Sequence, residues 1–179
     1  MIFNHTIPSG SLSTVRRRVQ KSVFAGVSAA GQTLEDGIQH FVGAGGEQGA
    51  KHTADAFALD AVILCEGCTD PTAPKVVRAT MGAIFRQPVY TMPLEAAMEA
   101  LRRQGLPVYA AALHHDSAEV GAIDLRNAAV IVGNEGRGVS ETALTQCDRT
   151  VMIPMAGAAE SLNASVAASI LIWEMTRKG

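Results

Sequence analysis

The chain has 179 residues, enough for one domain with its own core, and 47% of them are apolar. A net charge of −2 excludes the broad basic field of a non-specific nucleic-acid binder, and an aromatic share of 4% leaves the core to Ala, Val, Ile, Leu and Met. With no signal peptide and no apolar run of bilayer length, a soluble cytoplasmic protein is expected, and the three cysteines, an odd number, argue against a disulfide framework.

Residues 1–32 mix Ser, Gly, Thr and Arg without strong periodicity. They are expected to form a partly disordered extension carrying a helix over 12–25, with a basic cluster at Arg16, Arg17, Arg18 and Lys21. Residues 33–179 are expected to form the main domain. Apolar runs at 61–65, 107–112, 128–132 and 150–153 predict buried parallel strands, and 88–91 a further short one. Between them, Leu94, Ala97, Met98 and Leu101 recur at helical spacing over 93–104, with Gly105 as the stop. A helix over 139–147 has Ser140 as N-cap. The last helix, over 161–176, places Leu162, Val166 and Ile170 on one stripe and ends near Arg177 and Lys178, cations that suit its dipole. Strand and helix alternate, so the fold class is α/β: a parallel sheet flanked by helices.

Cys65 and Cys68 form a C-x-x-C pair. A structural zinc site needs two further ligands at suitable spacing, and a redox pair sits at a helix start. Here the pair ends a strand and is followed by Thr69-Asp70-Pro71, a turn signal, so it reads as structural and no metal is expected.

The most specific pattern lies in the last third. Gly133-Asn134-Glu135-Gly136-Arg137-Gly138 closes one apolar run, and Ile153-Pro154-Met155-Ala156-Gly157 follows a second. Ser161-Leu162-Asn163-Ala164-Ser165-Val166 then opens the last helix. Glycine-bearing loops at strand ends let backbone N–H and C=O groups approach one small ligand, and a helix start adds outward-pointing N–H groups.

These three segments, in this order, resemble the motifs of the SpoU/TrmH-type RNA ribose 2′-O-methyltransferases of the SPOUT superfamily. The resemblance extends over 53–179 and more faintly over 33–39. It implies a SPOUT-type trefoil-knotted parallel sheet, S-adenosylmethionine as methyl donor, rRNA or tRNA as partner, and a homodimer. By the same matching, Gly133, Ile153 and Leu162 contact the cofactor, with 110–113 as a further wall. Glu135, Ser161 and Asn163 fall around the reactive ribose.

Two further segments complete the comparison. The resembling family has an N-x-G-x-x-x-R-T-A motif; here Thr53-Ala54 matches, but His52 stands at the arginine position and Gly46 at the asparagine position, with Lys51 adjacent. An imidazole does not supply the permanent forked charge of a guanidinium. Downstream, Lys75, Arg78 and Arg86 match a K-x-x-R-A-S-x-G-A segment and are expected to meet RNA phosphates, the alternative being a helix with Val77, Met81 and Ile84 on its apolar face. The main reading is an RNA ribose methyltransferase. The second is a catalytically impaired cofactor- or RNA-binding homologue. The third, a phosphate-loop nucleotide binder, lacks the Lys-Ser/Thr of such loops.

Overall fold

The computed structural model of the chain describes residues 23–26, 46–65, 67–68, 70–133, 138–158 and 161–177. In chain order the elements are β1 (Val23–Gly26), α1 (Gly46–Ala56), β2 (Ala61–Leu64), α2 (Pro74–Ala79), a single 3-10 turn (Ala83–Phe85), β3 (Val89–Thr91), α3 (Leu94–Arg103), β4 (Val108–Ala111), β5 (Ala118–Glu119), β6 (Ala129–Val132), α4 (Glu141–Gln146), β7 (Arg149–Met152) and α5 (Ala164–Thr176). The strands form one seven-stranded sheet in the order β3-β2-β1-β6-β4-β7-β5. Every pair is parallel, so all strands point their C-terminal ends to the same edge.

Period-two alternation divides the sheet between two cores. Ala61, Ile63, Val108, Ala110, Ala129 and Ile131 pack on one face with Leu94, Met98 and Leu101 of α3 and Ala143 of α4. Val62, Leu64, Val130 and Val132 pack on the other with Ala50 and Ala54 of α1 and Leu171, Ile172 and Met175 of α5. Apolar side chains on both faces are what makes β2 and β6 read as unbroken apolar runs, as in a sheet covered on both sides. The helical stripe of α3 is buried as its spacing predicts: Leu94, Ala97, Met98 and Leu101 are all inside. Burying a side chain such as Leu101 contributes about 1.5–3 kcal/mol. Gly105, at φ +68°, takes the left-handed conformation that stops α3, and its N–H donates to the Arg102 carbonyl at 2.9 Å.

The N-terminal expectation is corrected. Residues 23–26 are not the end of a helix over 12–25 but a strand, β1, hydrogen-bonded between β2 and β6 near the centre of the sheet. The sheet therefore includes residues assigned from sequence to the extension 1–32. Four residues carry no usable period; pairing on both sides defines them as a strand. The rest of 1–22, with its basic cluster, lies outside the described residues.

Two apolar stripes are also corrected. Helix α5 begins at Ala164, not 161, and Val166 is 47% exposed; the buried stripe is Ala168, Leu171, Ile172 and Met175. Helix α2 stops at Ala79, because Met81 and Gly82 adopt left-handed backbone at φ +49° and +83°. Val77, Met81 and Ile84 thus form no helical face, and Met81 is 76% exposed. The cysteines at 65 and 68 pack on opposite faces of the sheet, Cys65 with the α3 side and Cys68 with the α1–α5 side.

Candidate functional site

Three neighbouring strands, β6, β4 and β7, end at one edge, and the loops leaving them enclose a cavity of about 430 Å³. Its walls come from 111–114 after β4, from Val132, Gly133, Gly138 and Val139 at the end of β6, and from 151–153 and Met155 after β7. Ser161, Leu162 and three residues of α5 complete it. Strands later in sequence are inserted between earlier ones here: β6 sits between β1 and β4, and β7 between β4 and β5. The carboxyl edge beside such a change in strand order is where open α/β sheets hold ligands.

Each wall is fixed by local chemistry. At the end of β6, Gly133 is buried and backs onto the chain where it returns. A Cβ added there would lie 2.0 Å from the Gly138 carbonyl carbon and 2.3 Å from the Val139 nitrogen. Only glycine permits that approach of backbone to backbone. Beyond β4, the Ala112 N–H donates to the Val151 carbonyl at 3.1 Å. Ser117 Oγ donates to the Ala112 carbonyl at 2.9 Å, accepts the His114 N–H at 3.2 Å and lies 2.9 Å from Thr150 Oγ1. This hydroxyl ties the 112–117 loop to β7. At the other end of β4, Asp148 Oδ2 accepts the Val108 N–H at 2.7 Å, which holds the register of β4 against β7. The start of α4 is capped by Ser140, whose Oγ accepts the Ala143 N–H at 3.3 Å.

Most of the cavity is apolar. Among the described lining residues only His114, Glu141 and Ser161 carry polar side chains. Val151 and Leu171, both fully buried, form the floor, and Leu113, 59% exposed, stands at the rim.

Gly133, Ile153 and Leu162, far apart in sequence, all line this cavity, and so does Ser161. Asn163 does not line it; its side-chain oxygen accepts the Ser165 N–H at 2.9 Å and caps α5. Glu135 lies outside the described residues. His52 is exposed on α1 and is not among the lining residues. The segment leading to it is helical from Gly46. Lys51 is wholly buried, and its charge, together with two hydrogen bonds from Thr72, holds the Asp70 carboxyl below the usual carboxylate range, the hydrogen bonds contributing most. Thr53 Oγ1 lies 3.0 Å from Ser169 Oγ and joins α1 to α5.

Lys75 and Arg78 are exposed on or beside α2. Arg86 donates from Nε and Nη2 to Asp55, the shorter contact being 2.5 Å, so this guanidinium also links the 3-10 turn to α1. The hydrogen bonds and the charge of Asp55 hold Arg86 above its usual pKa. Sequence reading missed His114 and Glu141, since neither belongs to a motif; their position at strand and helix ends beside the glycine loops was the available signal.

The family model described as SpoU rRNA Methylase matches residues 50–173. A 23S rRNA (guanosine(2553)-2'-O)-methyltransferase, RlmP, of Bacillus subtilis is 38% identical over 123 residues, covering 69% of this chain and 50% of the relative. A 23S rRNA (uridine(2479)-2'-O)-methyltransferase of Streptomyces viridochromogenes is 34% identical over 132 residues, covering 70% and 46%. The chain thus spans about half the length of these curated relatives. Among solved structures, the SpoU methyltransferase AviRb of Streptomyces viridochromogenes in complex with the cofactor AdoMet superposes with a TM-score of 0.71 at 28% identity, covering 94% of this chain and 64% of that one. The AdoMet-bound rRNA methyltransferase of Sinorhizobium meliloti gives a TM-score of 0.73 at 27% identity, covering 88% and 56%.

Proposed function

This chain belongs to the SpoU rRNA methylase family, and on that premise we propose that it transfers a methyl group from S-adenosylmethionine to a ribose 2′-hydroxyl of rRNA or tRNA. The observation that carries the proposal is the cavity at the ends of β4, β6 and β7, where Gly133, Ile153, Leu162 and Ser161 converge from three separate motifs. Its volume of about 430 Å³ lies in the range of small-molecule sites. Its apolar walls suit a flat adenine, and its few polar side chains suit a charged amino-acid end. When bound, the cofactor supplies an electrophilic methyl group on a sulfonium.

The protein's own residues have two tasks: to hold that methyl group in line with the ribose oxygen and to manage a weakly acidic proton. Gly133, Ile153 and Leu162 line the cavity and are the residues that would hold the adenosine part. By their motif positions, Glu135, Ser161 and Asn163 are assigned to the ribose side of the reaction. Ser161 is exposed at the cavity and offers a hydroxyl there, whereas the Asn163 oxygen is engaged in capping α5 and acts by holding the helix start in place. Lys75, Arg78 and Arg86 meet phosphates of the RNA.

The outer face of α5 supports a homodimer. This helix is mostly apolar, with Ser165, Ser169, Glu174 and Thr176 as its polar residues. Its outer face nevertheless exposes Val166 at 47% and Trp173 at 51%, and Trp173 stacks edge-to-face on Phe57 with centroids 5.4 Å apart. A second copy of the chain covers that face. Insertion of β6 and β7 between earlier strands, with α5 returning onto α1, supports the trefoil threading. No described helix is long and apolar enough to cross a membrane, and an RNA partner is consistent with the cytoplasmic location we propose.

One observation favours a second reading, a non-catalytic homologue: position 52 is an exposed histidine on α1 rather than an arginine. A single preparation separates the two. S-adenosylmethionine binding is measured by calorimetry, and labelled methyl transfer is then measured to rRNA and tRNA lacking ribose methylation. Binding with transfer supports the enzyme. Binding without transfer supports the non-catalytic homologue, and no binding to folded protein refutes the cofactor assignment.

A further inference from the structure

The cavity is built with an unequal distribution of polarity. Its described lining is apolar apart from Ser161 and two ionisable side chains, His114 and Glu141. These two come from different elements, His114 from the loop after β4 and Glu141 from the first turn of α4. Among the described residues, no side chain hydrogen-bonds or ion-pairs with either the imidazole or the carboxylate. Both are exposed at the opening rather than buried at the Val151–Leu171 floor. Neither is held by chance of loop placement alone. The His114 backbone N–H is fixed to Ser117, and the turn that carries Glu141 is fixed by the Ser140 cap.

A ligand that matches this cavity has an apolar planar part and a zwitterionic part. We propose that Glu141 accepts the ammonium group of the amino-acid end of the bound adenosyl cofactor, with the His114 imidazole as donor to its carboxylate. The inference rests on the cofactor reading above and assigns the two residues a binding and selecting role. A carboxylate at the opening attracts an ammonium group and repels the phosphates of an adenine nucleotide, so the pair distinguishes an adenosyl amino acid from other adenosine derivatives. Glu141 also stands in the first turn of α4, where an acidic side chain stabilises a helix whatever the ligand. The test therefore needs a readout that helix stabilisation does not move.

S-adenosylhomocysteine and 5′-methylthioadenosine provide it. Both are neutral thioethers of adenosine, and only the first has the amino-acid end. Their affinities are measured by calorimetry for the wild type, Glu141→Gln and Glu141→Asp, with thermal melts confirming that each variant is folded. The expected result is about a tenfold loss of S-adenosylhomocysteine affinity in Glu141→Gln, corresponding to about 1.4 kcal/mol. The affinity for 5′-methylthioadenosine stays within about twofold of wild type, and Glu141→Asp recovers part of the loss. Equal weakening of both ligands, or no weakening of either, overturns the assignment. If neither ligand binds the folded wild type, the cofactor reading falls and this inference with it.

Discussion

Replacing Gly133 by alanine tests the construction of the cavity directly. The added Cβ would lie 2.0 Å from the Gly138 carbonyl carbon, 2.1 Å from its oxygen and 2.3 Å from the Val139 nitrogen. All three are backbone atoms, so no side-chain rotation relieves the overlap; the chain must move apart by more than an ångström. Overpacking of a tight interior costs about 1–3 kcal/mol. For a chain of this size each kcal/mol lowers the melting temperature by about 2–4 °C, which gives an expected drop of roughly 2–12 °C. Gly133, Gly138 and Val139 all line the cavity, so the same movement displaces a cavity wall. S-adenosylmethionine affinity is expected to fall by at least about tenfold, the effect of losing 1.4 kcal/mol. Differential scanning calorimetry and titration calorimetry on the same sample read both effects. A variant that melts within a degree of wild type and binds the cofactor equally would refute the reasoning about backbone approach at this position.

Asn163→Ala removes the acceptor of the Ser165 N–H at the start of α5 and is expected to cost about 0.5–2 kcal/mol in chemical denaturation; an unchanged midpoint would mean that the cap is dispensable. The double variant Lys75→Ala/Arg78→Ala is expected to weaken RNA binding and to lower the slope of log affinity against log salt by about 2, while leaving the melting temperature nearly unchanged. Trp173→Arg places a charge on the apolar outer face of α5 and is expected to convert a dimer to a monomer in sedimentation velocity; a dimer that persists would move the interface elsewhere. Asp124, hydrogen-bonded by the Arg126 side chain and N–H, has its pKa lowered from 3.8 to about 2. A depressed carboxyl stabilises the fold above its unfolded pKa and loses that contribution as pH falls through the folded value. The difference in melting temperature between wild type and Asp124→Asn should therefore be present near neutrality and shrink from about pH 4 to pH 2, and a constant difference across that window would contradict the assignment.

Much of the scaffold was legible because it depends on local periodicity. The strands at 61–65, 88–91, 107–112, 128–132 and 150–153 and the helix at 93–104 are visible as apolar runs or a 3.6-residue stripe, and each forms within a residue or two of its expected bounds. Ser140 as a cap and Gly105 as a stop depend equally on short-range chemistry. The cavity wall was legible for a different reason: Gly133, Ile153 and Leu162 carry motif spacing, and their convergence on one cavity follows from parallel strands that all end at one edge.

Other features have no local cause. The strand at 23–26 exists because β2 and β6 flank it, a long-range pairing that four residues cannot announce. The buried face of α5 is shifted from the expected stripe because apolar residues are spread over more than one face of the helix, so packing with α1 and the sheet rather than composition selects Ala168, Leu171, Ile172 and Met175. Asn163 reads as a site residue in the motif, yet its oxygen is taken up by the helix start. His114 and Glu141 share no motif and come to line one cavity only through the fold. The sequence by itself determined most of the elements, their parallel class and the three motif segments that line the cavity, because each is encoded by neighbours along the chain. The order of the strands, the face each helix buries and the polar pair at the cavity opening were decided by tertiary structure alone, because they depend on residues that only folding brings together.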